Sequence, residues 1–173
     1  MNSHRSTTSR YLDACAEIEK CAALMYNHFS RQEKPGSSRQ NMWMKLAAEE
    51  RQHVNQVEYL RKVARRLKLG KHRVDCERIL GLARKAEHCL SKVFTMPYDP
   101  QVAFTLSVSL ESWFFDLHEE QTRKFCKDRL SFLFNALATS DLQHIKTIQA
   151  IYNESSAQGE TLQAHSFADV LSL

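Results

Sequence analysis

Apolar residues along this chain recur in steps of three and four, the spacing that gathers them on one side of an α-helix. Nowhere do they alternate with polar residues as a half-buried strand requires. Four long segments carry such a stripe, over about residues 8–31, 39–69, 99–125 and 128–153. The stretch QEKPGSS closes the first, because Pro35 and Gly36 cannot continue a helix. A turn this short makes the first two helices antiparallel neighbours. About thirty residues separate Gly70 from Pro100, with an apolar set of their own (Ile79, Leu82, Ala83, Ala86, Leu90, Val93) spaced for a shorter helix. That length crosses a bundle, so helices two and three are expected to run parallel, whereas the three residues CKD make helices three and four antiparallel. The expected fold is all-α, a four-helix bundle with a long, partly helical crossover between helices 2 and 3. One domain over residues 1–155 suffices for a chain of 173, followed by a tail over 156–173 that is loose or docked.

Each stripe is apolar except for a few polar intruders. Helix one presents Leu12, Cys15, Glu19, Ala22, Tyr26 and Phe29, and helix two presents Trp43, Leu46, Glu50, His53, Val57, Leu60, Ala64 and Leu67. Helix three gives Phe104, Val108, Glu111, Phe115 and His118, and helix four gives Leu130, Phe134, Leu137, Asp141, His144, Ile148 and Ile151. Every intruder is a carboxylate or an imidazole, and they fall at comparable heights in their helices. The second half also repeats the first: Glu19 precedes Glu50 by 31 residues and Glu111 precedes Asp141 by 30, and each later acid is followed three residues on by His53 or His144. Glu17, Glu49 and Glu119 fall off the stripes and read as exposed acids.

Residues three apart on a helix share a face, so Glu50/His53 and Asp141/His144 can each converge on one point. With Glu19 and Glu111 they make six candidate ligands. Ionised carboxylates left unpaired in a core cost several kcal/mol each, and four together repel. Two divalent cations offset the charge of −4. Mixed carboxylate and imidazole donors suit iron or manganese; zinc takes fewer ligands, and calcium or magnesium would not need histidines. Two iron ions are the expected cofactor, with manganese or zinc as alternatives.

Composition narrows the setting. Only four Gly and three Pro occur, in keeping with an almost wholly helical protein. No run of eighteen apolar residues and no apolar leader is present, which leads us to expect a cytoplasmic protein with no membrane association. Five cysteines without a CxxC pair fit reduced thiols rather than disulfides or a thiolate metal module. Cys15, on the first stripe, is expected to be apolar filling. The net charge is +4, and Arg61 to Arg73 concentrates seven Lys/Arg in thirteen residues. Cations gather where a helix ends, and no aromatic residues interleave with these, so nucleic acid is not expected as a partner. No nucleophile elbow, phosphate loop or nucleotide fingerprint appears, leaving no basis for a hydrolase or a nucleotide-dependent enzyme.

The constellation of Glu19, Glu50-x-x-His53, Glu111 and Asp141-x-x-His144 resembles the ferritin-like di-iron carboxylate proteins, in particular the rubrerythrin-like branch, over about residues 11–152. The resemblance includes EKCAALMY, where Tyr26 follows Glu19 by seven residues. It implies a ferritin-like bundle, usually within a homodimer, holding two irons that react with hydrogen peroxide or dioxygen. It also implies that Glu19, Glu50, His53, Glu111, Asp141 and His144 are the ligands, with Tyr26 orienting a ligand carboxylate. The chain departs from the pattern in three ways. It lacks a rubredoxin module, so reducing electrons must come from a separate donor protein. Phe114 stands where a second glutamate is usual on helix three, and Asp141 stands where Glu is usual. His118 takes the place in the second half that Tyr26 holds in the first, and is read as a supporting residue rather than a ligand. The Trp113, Phe114, Phe115 group is read as core packing. Two other functions fit the same residues: an iron-handling ferroxidase, or a bundle whose metal is structural or absent, acting as a binding module through the basic segment.

Overall fold

In a computed structural model, described for residues 7–66, 76–124 and 129–157, the chain forms five α-helices and, among the described residues, no strand. They are α1 (Thr7–Gln32), α2 (Ser38–Arg66), α3 (Cys76–Thr95), α4 (Pro100–Lys124) and α5 (Arg129–Ala157). The crossover helix is therefore a full element of twenty residues. The tail beyond 157, most of the basic Arg61 to Arg73 segment and Cys126 lie outside the described residues.

Helix ends fall where side chains can satisfy free backbone groups. Ser37 caps α2 by accepting a hydrogen bond at Oγ from the Gln40 amide (3.1 Å), after Gly36 has turned the chain at φ 77°. Asp99 caps α4, its Oδ1 accepting from the Gln101 amide at 2.7 Å, with Pro100 at the first helical position where no N–H is needed. Glu33 ties three elements together: Arg39 donates to it at 3.0 Å and the Tyr98 hydroxyl donates to its other oxygen.

Contacts fix the directions of the helices. Arg61 pairs with Asp13 at 2.5 Å, so the end of α2 lies beside the start of α1 and the two are antiparallel. Phe104 meets Tyr152 edge to face at 5.3 Å between centroids, which makes α4 and α5 antiparallel. Trp43, near the start of α2, lies 5.5 Å from Phe104, near the start of α4, so these two run parallel as the crossover requires. α1 packs on α2, and α4 on α5; α3 lies mainly against α1, and α2 faces α5.

Two apolar layers fill the bundle ends. At one, Tyr26 stacks on Trp43 with Phe29, Phe104 and Tyr98 around them. At the other, Tyr11 meets the edge of Phe134, and Leu12, Leu130 and Leu60 close the core. The side chains expected on the stripes of α1 and α2 are buried as far as Ala64. On α4 the inward face is rotated: Phe114 is buried and Phe115 and Val108 are only half-buried, because Glu111 to His118 is spanned equally well by a step of three or of four at that point. Between the apolar layers lies a polar one.

Candidate metal centre

Seven acid and imidazole groups meet at mid-bundle: Glu19 from α1, Glu50 and His53 from α2, Glu111 and His118 from α4, and Asp141 and His144 from α5. The four carboxylates are wholly buried and the three histidines nearly so. Each is the residue that a helical stripe turns inward at that height, so the cluster follows directly from the spacing.

Two trios are close enough to hold a cation each, with candidate ligand atoms all within 4.8 Å of one another: Glu19, Glu50 and His53, and Glu50, Glu111 and His144. Glu50 belongs to both. His53 Nδ1 lies 3.4 Å from Glu19 Oε2 and 3.1 Å from Glu50 Oε2. His144 Nδ1 lies 2.9 Å from Glu50 Oε1 and 3.2 Å from Glu111 Oε2. The two rings stack, with centroids 5.7 Å apart, and so flank Glu50. Five of the six residues singled out by spacing are thus brought together in these trios. Asp141 is in the layer but in neither trio: its Oδ2 accepts from His118 Nδ1 at 2.8 Å.

Tyr26 reaches the centre through its hydroxyl, which donates to Glu111 Oε1 at 2.5 Å. Burial, together with the charges of Glu111 and Glu50, pushes its phenol well above its usual range, so it remains a donor. His118, on the α4 stripe, also belongs to the layer: its Nε2 lies 3.5 Å from Glu19 Oε1, a contact between helices that spacing does not reveal. Glu49 corrects the reading from spacing. Rather than an ordinary exposed acid, its side chain is 37% exposed and its Oε2 lies 3.2 Å from His144 Nε2, on the far side of the ring from Glu50. Glu17 and Glu119 do pair at the surface, with Lys20 and Arg123.

Burial raises the Glu50 carboxyl well above the usual carboxylate range, and the charges of Glu111 and Glu19 raise it further. Burial works the same way on Asp141 but is partly opposed by His118, leaving it at about 6. Burial would depress His53 and His144, yet the adjoining carboxylates override it and lift them to about 10 and about 11. Burial would likewise raise Glu19, but the nearby His53, Glu50 and His118 hold it at about 2. Protons alone do not satisfy the cluster: both Glu19 oxygens, Glu50 Oε1 and Asp141 Oδ1 are buried without a hydrogen bond of good geometry. His53 Nδ1, at 3.4 Å, is beyond the usual length for one. Orphaned, inward-facing carboxylate oxygens beside imidazole nitrogens fit a pair of cations, and the oxygen and nitrogen donor set fits iron or manganese.

Among the described residues no helix is long and apolar enough to cross a membrane. Comparison with protein-family models, with curated proteins and with solved structures finds no match to this chain.

Proposed function

We propose that the chain is a rubrerythrin-like, ferritin-like di-iron protein that reduces hydrogen peroxide or dioxygen with electrons from a separate donor. The observation that carries this reading is the sharing of Glu50 between two carboxylate and imidazole trios in a dry bundle interior. A single structural cation would need only one trio. Two adjoining sites suit chemistry that moves two electrons at once, which is what reduction of one peroxide to two waters requires.

When bound, two ferrous ions supply those electrons. The chain's own residues set the conditions. Glu19, Glu50, His53, Glu111 and His144 would hold the ions, while Tyr26 fixes the orientation of Glu111 by donating to Oε1. Trp43, Phe104 and Phe29 on one side and Leu12, Phe134 and Leu137 on the other keep bulk water out. No CxxC pair occurs in these 173 residues, so the electrons come from outside them.

The test is anaerobic stopped-flow mixing of ferrous-loaded protein with peroxide. One peroxide should oxidise two irons and consume two protons, in milliseconds to seconds. Slow oxidation, at the rate of free ferrous iron, would reject the oxidoreductase reading even with two irons bound.

A further inference from the structure

His118 sits 1% exposed between two carboxylates of different helices. Its Nδ1 faces Asp141 Oδ2 at 2.8 Å, and its Nε2 faces Glu19 Oε1 at 3.5 Å. Phe134 stacks on the ring at 5.9 Å between centroids and holds it in this plane. An ionised carboxylate only accepts, so the short contact to Asp141 places a hydrogen on Nδ1 and leaves the Nε2 lone pair aimed at Glu19 in the neutral ring. Nitrogen and oxygen then face each other as two acceptors, which is unstable unless something positive lies between them. A proton is the poorer choice. Charge-assisted N–H···O bonds close to about 2.7–2.9 Å. Two donors bound to one ion at about 2.0–2.2 Å are instead roughly 3–3.5 Å apart at octahedral to tetrahedral angles.

Resting on the two-cation reading above, we infer that His118 is itself a metal ligand through Nε2, with Asp141 supporting the ring from behind through Nδ1. Asp141 thereby changes role. Its side chain is one methylene shorter than that of Glu, and its Oδ2 is already engaged by His118. A carboxylate that receives the far N–H of a ligand imidazole fixes the ring and its tautomer, the usual partnership at histidine metal sites.

The internal repeat makes the consequence specific. Tyr26 follows Glu19 by seven residues and touches Glu111, while His118 follows Glu111 by seven and touches Glu19. These equivalent positions cross over to the opposite carboxylate, but one carries a phenol that stays protonated and the other an imidazole that can ligate. The two sites are therefore unequal. The cation beside Glu19 has two imidazoles, from His53 and His118, and the cation beside Glu111 has one, from His144.

Cobalt(II) substitution tests this without reference to turnover. Each ligated neutral imidazole keeps one N–H on its far nitrogen, which gives a hyperfine-shifted, exchangeable proton resonance. Three such resonances are expected in the unmodified protein. His118→Ala should lose the cobalt ion beside Glu19 and with it two of the three resonances, leaving that of His144, and added imidazole should restore the second ion. Asp141→Asn, which keeps an acceptor for Nδ1–H, should retain all three with the affinity of one ion reduced about tenfold or more. Two resonances in cobalt-loaded protein, both kept in His118→Ala, would overturn the assignment while leaving a two-cation centre intact. Protein that takes up no cobalt would overturn both. The count in the unmodified protein decides the question even if His118→Ala does not fold.

Discussion

Tyr26 and Glu111, 85 residues apart in sequence, are joined by a buried 2.5 Å hydrogen bond that links the first half of the chain to the second across the polar layer. The phenol ring is held by stacking on Trp43, so the hydroxyl can be removed without moving the ring. Tyr26→Phe should leave Glu111 Oε1 buried without its donor, costing about 1–3 kcal/mol of stability in the metal-free protein. Thermal or denaturant unfolding of the two proteins checks this. Metal affinity should fall about tenfold in the same variant, read by competition with a chromophoric chelator.

Glu49 and Glu119 make a matched pair of surface acids with different expectations. Glu49 supports the far nitrogen of His144, whereas Glu119 pairs with Arg123 at the surface. Glu49→Gln should weaken binding of one cation about tenfold with stability altered by less than about 0.5 kcal/mol, and Glu119→Gln should change neither. Calorimetric metal titration distinguishes them.

Metal uptake should release protons. In the metal-free centre the carboxylates hold His53 at about 10 and His144 at about 11, so both rings are protonated at pH 7, while burial makes Glu50 hold its proton more tightly than an ordinary carboxyl. Each must lose its proton to bind a cation. Titration at pH 7 in buffers of different ionisation enthalpy should show at least about two protons released per chain, and affinity should rise from pH 6 to pH 9.

The same shifts fix the pH dependence of stability. Both histidines have folded values above the unfolded value of about 6.5, so their contribution is fully present below that pH and is lost as pH rises through about 10 and 11. Glu50, raised above its ordinary value, acts in the same direction, since the folded state binds its proton more tightly. Metal-free protein should therefore melt at lower temperature at pH 10 than at pH 7. Metal-loaded protein should lose much of that slope, because the cations have already displaced the protons.

Much of this layer was legible in the sequence because a buried charge on a helical stripe has few explanations. Glu19, Glu50, His53, Glu111 and His144 each break an otherwise apolar run, and the repeat at 31 and 30 residues places them at one height. What the spacing could not resolve depends on rotation and on contacts between helices. Phe114 and Phe115 are both apolar, so nothing local says which faces in. Glu49 is adjacent to Glu50 and points off the stripe; its significance comes from His144 on a different helix. The pairing of His118 with Asp141 spans 23 residues between α4 and α5, and only the packing of those helices shows that the histidine engages the aspartate.

Glu50 is the residue on which the two-cation account turns, since it alone belongs to both trios. The most direct test is elemental analysis after anaerobic reconstitution with ferrous iron and desalting, on the unmodified chain and on Glu50→Ala. The account predicts two irons per chain in the first and none retained in the second, with the variant still helical by circular dichroism. An unmodified protein that holds no iron, or a folded Glu50→Ala that still holds two, would contradict it.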